Sequence, residues 1–263
     1  MSSFCLAWSQ LTEEQVAERE KWEEFLETAE IVGYEQPLEP RLAVTEPWRL
    51  TLKKDGITMH AWWKNVEGRP KGFPDNWKWE IAAYHLDKYL GLNMIPPIVM
   101  KRFRGDKGCC SLDYGGTITL REKKAKDLKP SSGAQLASLN RVTYIQRAFD
   151  NLIANKDRNE GDVLYTKDWR MLLIDHSRAF YTSKKYTKKL LYDENSKPIP
   201  FPMKRLPRAF VDKLKSLDFE TIKQAVGEYL NDEEVEAVLI RRDLIIDNLD
   251  KRIEQFGDAS VLY

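Results

Sequence analysis

Hydrophobic residues occupy every second position in two short runs of the chain, residues 48–52 and 57–63. Between the runs stands Asp55-Gly56, a pair typical of two-residue hairpin turns. The alternation and the turn together predict a β-hairpin. Because successive side chains of a strand point to opposite faces, Trp62 and Lys64 are expected to share one face of the second strand.

Hydrophobic residues spaced three and four apart predict a helix from Asn76 to Leu90, with Gly91 placed to cap its C-terminus. Thr12 and Gln15 form the pattern of a capping box at the start of a charged helix expected over Thr12–Ala29. The other predicted helices cover residues 142–154, 219–230 and 232–256, and the other predicted strands cover residues 31–35, 98–103, 163–165 and 171–174. Loops are expected at residues 37–47, 66–75 and 181–202, and an exposed linker at residues 121–133.

The composition of the 263 residues is that of a globular protein, and the length suits one bilobal domain or two small halves that share a cleft. Lys and Arg number 42 against 41 Asp and Glu, which argues against a nucleic-acid binder with a wholly basic surface but leaves a local patch open. No membrane segment and no signal peptide is expected. The three cysteines cannot form an even disulfide framework, so a reducing, cytoplasmic compartment is expected.

Candidate chemistry is concentrated between residues 149 and 180. A helix is expected to end in a polar loop that carries Asp157 and Asp162, and a hairpin of two strands then leads to Asp175. A carboxylate at the end of a buried strand costs desolvation energy unless a cation or hydrogen bonds meet it. Several such carboxylates fit a divalent metal with a phosphate ligand, because Mg²⁺ prefers hard oxygen ligands.

This order of residues is the layout of a kinase catalytic centre: an aspartate, a metal ligand five residues later, and a hairpin that ends in a second metal-binding aspartate. Kinases also need a strand lysine that contacts the phosphates and a helix glutamate that holds the lysine. Lys64 ends the second hairpin strand and Glu80 opens the next helix. The alternative is that Lys64 is a solvated edge charge and that Glu80 only complements the helix dipole.

Four segments carry a resemblance to a known group: WKWEIAAYHLDKYLGLNMIPPIVMKR at 77–102, FDNLIANKDRNEGD at 149–162, LLIDHSRAF at 172–180 and LIRRDLIIDNL at 239–249. The chain resembles the atypical kinases related to the phosphatidylinositol 3/4-kinases, HipA and the Golgi casein kinases, bacterial members above all. The resemblance implies an α+β, two-lobed kinase-like fold with a small antiparallel-sheet N-lobe and a mainly helical C-lobe. The expected boundaries are an N-terminal helical extension over 1–30, the N-lobe over 31–115 and the C-lobe over 116–263.

The same resemblance implies roles for the candidate residues. Lys64 would contact phosphate, Glu80 would position Lys64, Asp157 would be the catalytic aspartate, and Asp175 would bind metal. Asp162 stands where relatives usually carry a metal-binding Asn, and a carboxylate is also a competent oxygen ligand.

Three features depart from the pattern of the group. Asp175-His176-Ser177 replaces the Asp-Phe-Gly of kinases, and the segment PLEPRLAVTEP before the hairpin lacks the glycines of a phosphate-binding loop. Trp62 stands where kinases commonly place a small residue beneath the adenine, so it would either stack on the base or exclude it.

The expected function is therefore ATP-dependent phosphoryl transfer with Mg²⁺ or Mn²⁺ to an unidentified hydroxyl acceptor, such as a protein Ser or Thr, a lipid headgroup or a small alcohol. The alternative is a pseudokinase that binds nucleotide or acts as a scaffold. Other candidates are expected to be structural: His60, His85 and the pair Cys109-Cys110. His176 is expected to orient Asp175. The basic run at residues 184–189 is expected to be solvated or to meet an acidic or phosphorylated partner.

Overall fold

A computed structural model describes residues 8–36, 47–195 and 202–263. A five-stranded antiparallel sheet, in the order β1-β2-β3-β7-β6, makes up the first part of the fold. Helices arranged around a three-stranded sheet, β10-β9-β8, make up the second part. The mixture of an antiparallel sheet and many helices makes this an α+β fold, as the sequence predicted.

The strands of the described residues are β1 (Glu30–Glu35), β2 (Trp48–Lys54), β3 (Ile57–Lys64), β4 (Glu67–Gly68), β5 (Asp75–Asn76), β6 (Ile98–Phe103), β7 (Asp106–Leu112), β8 (Ile118–Thr119), β9 (Val163–Tyr165) and β10 (Met171–Leu173). The α-helices are α1 (Glu13–Ala17), α2 (Arg19–Thr28), α3 (Trp77–Leu90), α4 (Leu120–Ala125), α5 (Gly133–Leu152), α6 (Lys184–Thr187), α7 (Arg208–Lys215), α8 (Phe219–Val226), α9 (Asp232–Phe256) and α10 (Asp258–Val261). No helix within these described ranges has both the length and the apolar character needed to cross a membrane.

The predicted hairpin is confirmed as β2 and β3, paired from Trp48 opposite Trp63 to Lys54 opposite Ile57. Asp55 and Gly56 both have positive φ angles, 49° and 78°. Two consecutive residues in the left-handed region define the turn whose twist matches that of the flanking strands.

Helix α2 covers one face of the large sheet. Phe25 and Leu26 of α2 pack against buried residues that the strands contribute: Leu50, Leu52, Ala61, Trp63, Val99, Phe103, Cys110 and Leu112. Lys101 of β6 extends to the end of this helix, where its ammonium donates to the carbonyls of Leu26, Glu27 and Ala29 at 2.7–3.1 Å. The last carbonyls of a helix lack intrahelical partners, so this buried lysine donates to carbonyls that would otherwise be buried without a hydrogen bond.

Helix α3 lies between the large sheet and the C-terminal helices, and ten of its residues are buried. The side chain of Asn76 caps its first turn by accepting from the backbone N–H of Lys78 at 2.9 Å. Gly91 ends the helix in the left-handed conformation, with φ 72°. Both ends therefore lie where the sequence predicted them, and the cap places Glu80 in the first turn.

A short N-terminal segment joins the two parts of the fold. The backbone N–H groups of Gln10 and Leu11 donate to the carbonyls of Leu92 and Asn93, which follow α3. The Gln10 side chain accepts from the backbone N–H of Met171 at 2.9 Å, and the Gln10 carbonyl accepts from the Arg170 guanidinium at 2.9 Å. The segment is thus bonded to the end of α3 and to the start of β10.

Several predicted boundaries were wrong. The helix expected over Thr12–Ala29 begins with the predicted capping box but breaks at Glu18 into α1 and α2. The loop expected at residues 66–75 contains strand β4 and ends in β5, and the linker expected at residues 121–133 begins inside α4. Strands β7 and β8 and helices α7 and α10 were not predicted.

The loop expected at residues 181–202 is not uniformly exposed, because Tyr181 and Tyr186 are buried and stack at a ring-centroid distance of 4.8 Å. Helix α8 ends at Val226, four residues before the predicted end. Apart from Pro47, the glycine-free segment PLEPRLAVTEP lies outside the described residues. The lobe boundaries near residues 30 and 115 stay predictions.

Candidate active site

Lys64 is the last residue of β3, and the alternation of the strand sends its side chain to the face opposite the buried Trp63. Its ammonium lies 3.0 Å from Glu80 Oε1 and 3.0 Å from Asp175 Oδ1. Burial alone would lower the pKa of Lys64, but the charges of Asp175 and Glu80 raise it well above its usual value. Lys64 is therefore a permanently charged group that links the sheet, helix α3 and the segment after β10.

The Lys64–Glu80 pairing that the sequence suggested is present. Glu80 Oε1 accepts from Lys64, and Oε2 accepts from the backbone N–H of His176 at 2.8 Å. Burial alone would raise the pKa of Glu80, but the Lys64 ammonium and the hydrogen bonds from His176 outweigh it, and the pKa lies well below its usual value. Glu80 is thus held as a buried carboxylate in a fixed orientation.

Asp175 follows β10 by two residues and has a φ angle of 60°, in the left-handed region. This turn directs its carboxylate toward Lys64, and the Ser177 hydroxyl donates to Asp175 Oδ1 at 3.2 Å. The expectation that His176 orients Asp175 was wrong. The His176 ring is fully buried, with Nδ1 3.5 Å from Glu80, so His176 supports the glutamate instead.

Asp162 lies in a tight turn between α5 and β9. Its Oδ2 accepts from the backbone N–H of Asn159 at 3.0 Å, and its own N–H donates to the Asn159 carbonyl at 3.1 Å. Burial, together with the charge of Asp175, raises the pKa of Asp162 to about 7. Asp162 therefore caps a turn and also lies in the electrostatic field of Asp175.

A buried ion pair between Arg158 and Asp150 holds in place the loop that carries these carboxylates. Arg158 donates to both oxygens of the fully buried Asp150 at 3.0 and 3.1 Å. The same guanidinium donates to the carbonyls of Asp162 and Ile174. One arginine therefore ties α5, the turn at Asp162 and the residue before Asp175 together.

Asp157 lies in the same loop, and its side chain is 52% exposed. Asp157 Oδ2 accepts from Arg178 Nη1 at 2.8 Å, and Arg178 Nε donates to Asp75 Oδ2 at 3.0 Å. Neither Arg178 nor Asp75 was predicted from the sequence as a site residue. Arg178 stands three residues after Asp175, which is the only local signal, whereas Asp75 is separated from it by 103 residues.

All five predicted site residues line one cleft of about 600 Å³ between the large sheet and the helical part: Lys64, Glu80, Asp157, Asp162 and Asp175. Apolar side chains of Ile98, Leu164 and Leu172 line it as well. Trp62 also faces the cleft, opposite Ser111 in the strand register, with the Arg49 guanidinium 6.0 Å from its ring centre. The cleft therefore has an apolar portion next to a charged one.

The donor set fits a hard divalent cation that shares its coordination with phosphate. Asp162 and Asp175 supply carboxylate oxygens close enough for the charge of Asp175 to raise the pKa of Asp162. Among the described residues no group of three or more His, Cys, Asp or Glu side chains could hold a metal ion alone. Mg²⁺ is commonly bound through one or two carboxylates, with substrate phosphates and water completing its shell, so two carboxylates suffice.

Of the candidates expected to be structural, Cys109 also lines the cleft. His85 Nδ1 lies 2.9 Å from the Ala225 carbonyl, and His60 Nδ1 lies 3.3 Å from the Thr51 hydroxyl. Cys109 and Cys110 are buried on opposite faces of β7, and burial raises the pKa of both thiols. The lysines of the basic run are all exposed: Lys184, Lys185, Lys188 and Lys189.

No protein-family model matches this chain, and no curated protein matches it in sequence. Solved structures do match over nearly the whole chain. A hydra Fam20 protein, solved with a sugar, has a TM-score of 0.68 at 14% identity and covers 98% of this chain and 96% of its own. A Golgi casein kinase has a TM-score of 0.65 at 15% identity and covers 97% of this chain and 80% of its own. These neighbours establish the kinase-like fold that the sequence predicted.

Proposed function

We propose that this protein is an ATP-dependent phosphotransferase that acts with Mg²⁺ or Mn²⁺ on a hydroxyl acceptor. The observation that carries the proposal is the position of Lys64, 3.0 Å from both Glu80 and Asp175, in a cleft that Asp157 and Asp162 also line. Phosphoryl transfer depends almost entirely on positioning and on neutralising phosphate charge, and this arrangement offers groups for both.

In this proposal Lys64 contacts the phosphates while Glu80 holds its ammonium in the cleft. Asp162 and Asp175 would hold the metal ion, which supplies positive charge against the phosphate oxygens when bound. The half-exposed carboxylate of Asp157 accepts or orients the proton of the acceptor hydroxyl. The apolar residues beside Trp62 would contact the base.

A protein Ser or Thr is the first acceptor to test, because one structural neighbour is a casein kinase. A sugar hydroxyl is the second, because the other neighbour was solved with a sugar. Nucleic acid is not an expected partner, since the net charge of the chain is +1.

A nucleotide-binding or scaffolding pseudokinase is the second candidate, and Trp62 favours it. Its indole occupies cleft space where kinases commonly place a small residue beneath the adenine. A ring that fills this space would hold the nucleotide in an altered position or exclude it.

The test combines two measurements on the purified full chain. Transfer of label from γ-labelled ATP is measured with Mn²⁺ or Mg²⁺ and with casein, a sugar panel or the protein itself as acceptor. Thermal shift with ATP and metal reports binding independently, because a ligand that binds only the folded state raises the melting temperature. Asp157→Asn tests the site, and Asp212→Asn, an exposed carboxylate of α7 outside the cleft, is its matched control.

Metal-dependent transfer that Asp157→Asn abolishes and Asp212→Asn retains would support the enzyme. Thermal stabilisation by ATP and metal without transfer or hydrolysis would support the pseudokinase. A chain that shows neither stabilisation nor transfer would overturn the enzyme and the nucleotide-binding pseudokinase and would leave only a scaffold that binds no nucleotide.

A further inference from the structure

Arg178 contacts two carboxylates from distant parts of the chain. Its Nη1 donates to Asp157 Oδ2 at 2.8 Å, and its Nε donates to Asp75 Oδ2 at 3.0 Å. The Arg178 side chain is 11% exposed and that of Asp75 is 1% exposed, whereas that of Asp157 is 52% exposed. The buried Asp75 carboxylate thus contacts the partly buried Arg178 side chain, which in turn contacts the half-exposed Asp157 carboxylate in the cleft.

The anchor at Asp75 is itself fixed. The backbone N–H of Asn76 donates to the Ser177 carbonyl at 2.8 Å, and the Tyr181 hydroxyl donates to the Pro74 carbonyl at 3.1 Å. These bonds hold the residues before α3 against the residues after Asp175. Arg178 therefore starts from a fixed backbone and is directed by a carboxylate that has almost no freedom to move.

We infer that Arg178, held in place by Asp75, is a positioning residue that orients the Asp157 carboxylate toward the acceptor hydroxyl; this inference rests on the proposed function. A half-exposed aspartate would otherwise sample several rotamers. With Oδ2 bound to Arg178, Oδ1 is the oxygen left for the acceptor. Loss of orientation at a reacting group can cost about 10²-fold in rate, even when every binding contact is retained.

The guanidinium is suited to this task and an ammonium is not. Arginine presents its donors in a rigid planar fork, so Nε and Nη1 can meet two carboxylates at the same time. Lysine is a point charge on a flexible stem and would bind one carboxylate or the other. Arg178→Lys therefore keeps the charge but removes the defined geometry.

Asp75 could affect the site in two ways, through Arg178 and Asp157 or through its charge interaction with Asp175, and the test has to distinguish them. Burial raises the pKa of Asp75, and the charge of nearby Asp175 contributes to the same shift. Replacing Asp75 could thus act on the metal-binding side instead of on Asp157. The two routes differ in their coupling to Arg178, because only the route through Asp157 disappears once Arg178 is gone.

The test is a double-mutant cycle in transfer kinetics, made of the parent, Asp75→Asn, Arg178→Met and the double variant. We expect kcat to fall about tenfold or more in Arg178→Met and in Asp75→Asn. The KM for ATP and the thermal shift with ATP and Mn²⁺ should stay within about twofold of the parent. In the Arg178→Met background, Asp75→Asn should have no further effect on kcat. Arg205→Lys, a change of an exposed arginine outside the cleft, is the control for Arg178→Lys.

Additive effects on kcat, or a rise in KM for ATP equal to the fall in kcat, would overturn the inference while leaving the proposed function intact. A parent chain that transfers no phosphoryl group would overturn the proposed function and the inference with it. If Arg178→Met fails to fold, Asp75→Asn and Arg178→Lys decide the matter alone. An unchanged kcat in both would show that the ion pairs only stabilise the fold.

Discussion

Replacing Lys64 with methionine would leave the Glu80 carboxylate buried without its cation. The substitution keeps the aliphatic stem and the approximate volume, so the packing beside Cys109 changes little. Glu80 is 4% exposed and would retain only the hydrogen bond that it accepts from the backbone N–H of His176. The structure therefore predicts a loss of stability in addition to a loss of phosphate contact.

The expected cost in folding free energy follows from the burial of the Glu80 carboxylate. Removing one partner of a buried ion pair costs about 3–5 kcal/mol, because the other charge stays in a poorly solvated site. The bond from the His176 N–H is retained, so we expect about 3 kcal/mol for Lys64→Met. Asp175 adds little to the cost, because its side chain is 41% exposed and water screens it.

The loss of unfolding free energy in Lys64→Met should depend on pH. In the parent, the lowered pKa of Glu80 gives stability that is present above its usual value of 4.5 and is lost as the pH falls below it. Without Lys64, burial raises the pKa of Glu80 instead, so the variant loses stability as the pH rises above 4.5. The stability difference between parent and variant should therefore already be present at pH 4.5 and should be larger at pH 8.

Urea unfolding of the nucleotide-free proteins at these two pH values measures the effect. The double variant Lys64→Met/Glu80→Gln removes the unpaired charge and should recover most of the lost free energy. Lys54→Met, which removes a partly exposed lysine on the neighbouring strand, is the matched control. An equal cost at both pH values, or no recovery in the double variant, would refute the reasoning.

Three further predictions concern other parts of the site and its support. Asp162→Asn keeps an oxygen ligand but loses the charge, so it should need more Mn²⁺ for half-maximal transfer, and Asp162→Ala should be far slower at limiting metal. Three superimposable metal titrations would show that Asp162 binds no metal. In Gly108→Ala the new Cβ would lie 2.3 Å from the Lys64 carbonyl oxygen and 2.7 Å from the Trp63 ring, so we expect a loss of about 1–3 kcal/mol in urea unfolding. An unchanged midpoint would contradict that close approach. Burial raises the pKa of Asp87 to about 7, so the parent should lose stability as the pH rises from about 4 to 7, and Asp87→Asn should remove this loss. Parallel stability profiles of the two proteins from pH 4 to 8 would show that Asp87 does not titrate in this range.

Local sequence signals located most of the elements that carry the site. The pair Asp55-Gly56 specified its turn, and the flanking alternation specified which face of β3 carries Lys64. Asn76 and Gly91 bounded α3 and thereby placed Glu80 in its first turn. Each of these features depends on residues close together in the chain, which is why the sequence alone could predict them.

Strand β7 was missed because the burial of its residues does not alternate. Its consecutive residues Gly108, Cys109 and Cys110 are all buried, so the hydrophobic alternation of a half-exposed strand is absent. Gly108 is needed because β7 lies close to the neighbouring strand β3, where a side chain at this position would collide with Trp63. Such a requirement becomes visible only once the two strands are placed side by side.

The contacts of Asp157 could not be predicted for a similar reason. Asp75 stands in a segment that the sequence predicted to be a loop and Arg178 in a run of mixed character, and neither pattern indicates a partner. Likewise His176 stands next to Asp175 in sequence, but the left-handed backbone at Asp175 turns the histidine toward Glu80. Pairing across the cleft depends on tertiary structure, which the sequence pattern does not encode locally.

The N-terminal segment at Gln10 and Leu11 has a consequence for motion at the site. It is bonded to Leu92 and Asn93, at the end of the helix that carries Glu80, and to the start of the strand that leads to Asp175. The two elements are thus fastened together at the ends remote from the charged groups. Separating them by sliding would break these rear hydrogen bonds, whereas a small rotation about the fastened edge would leave these particular bonds in place. Opening and closing of the cleft is therefore expected to be a hinge movement about this rear edge, with the widest excursion at its mouth.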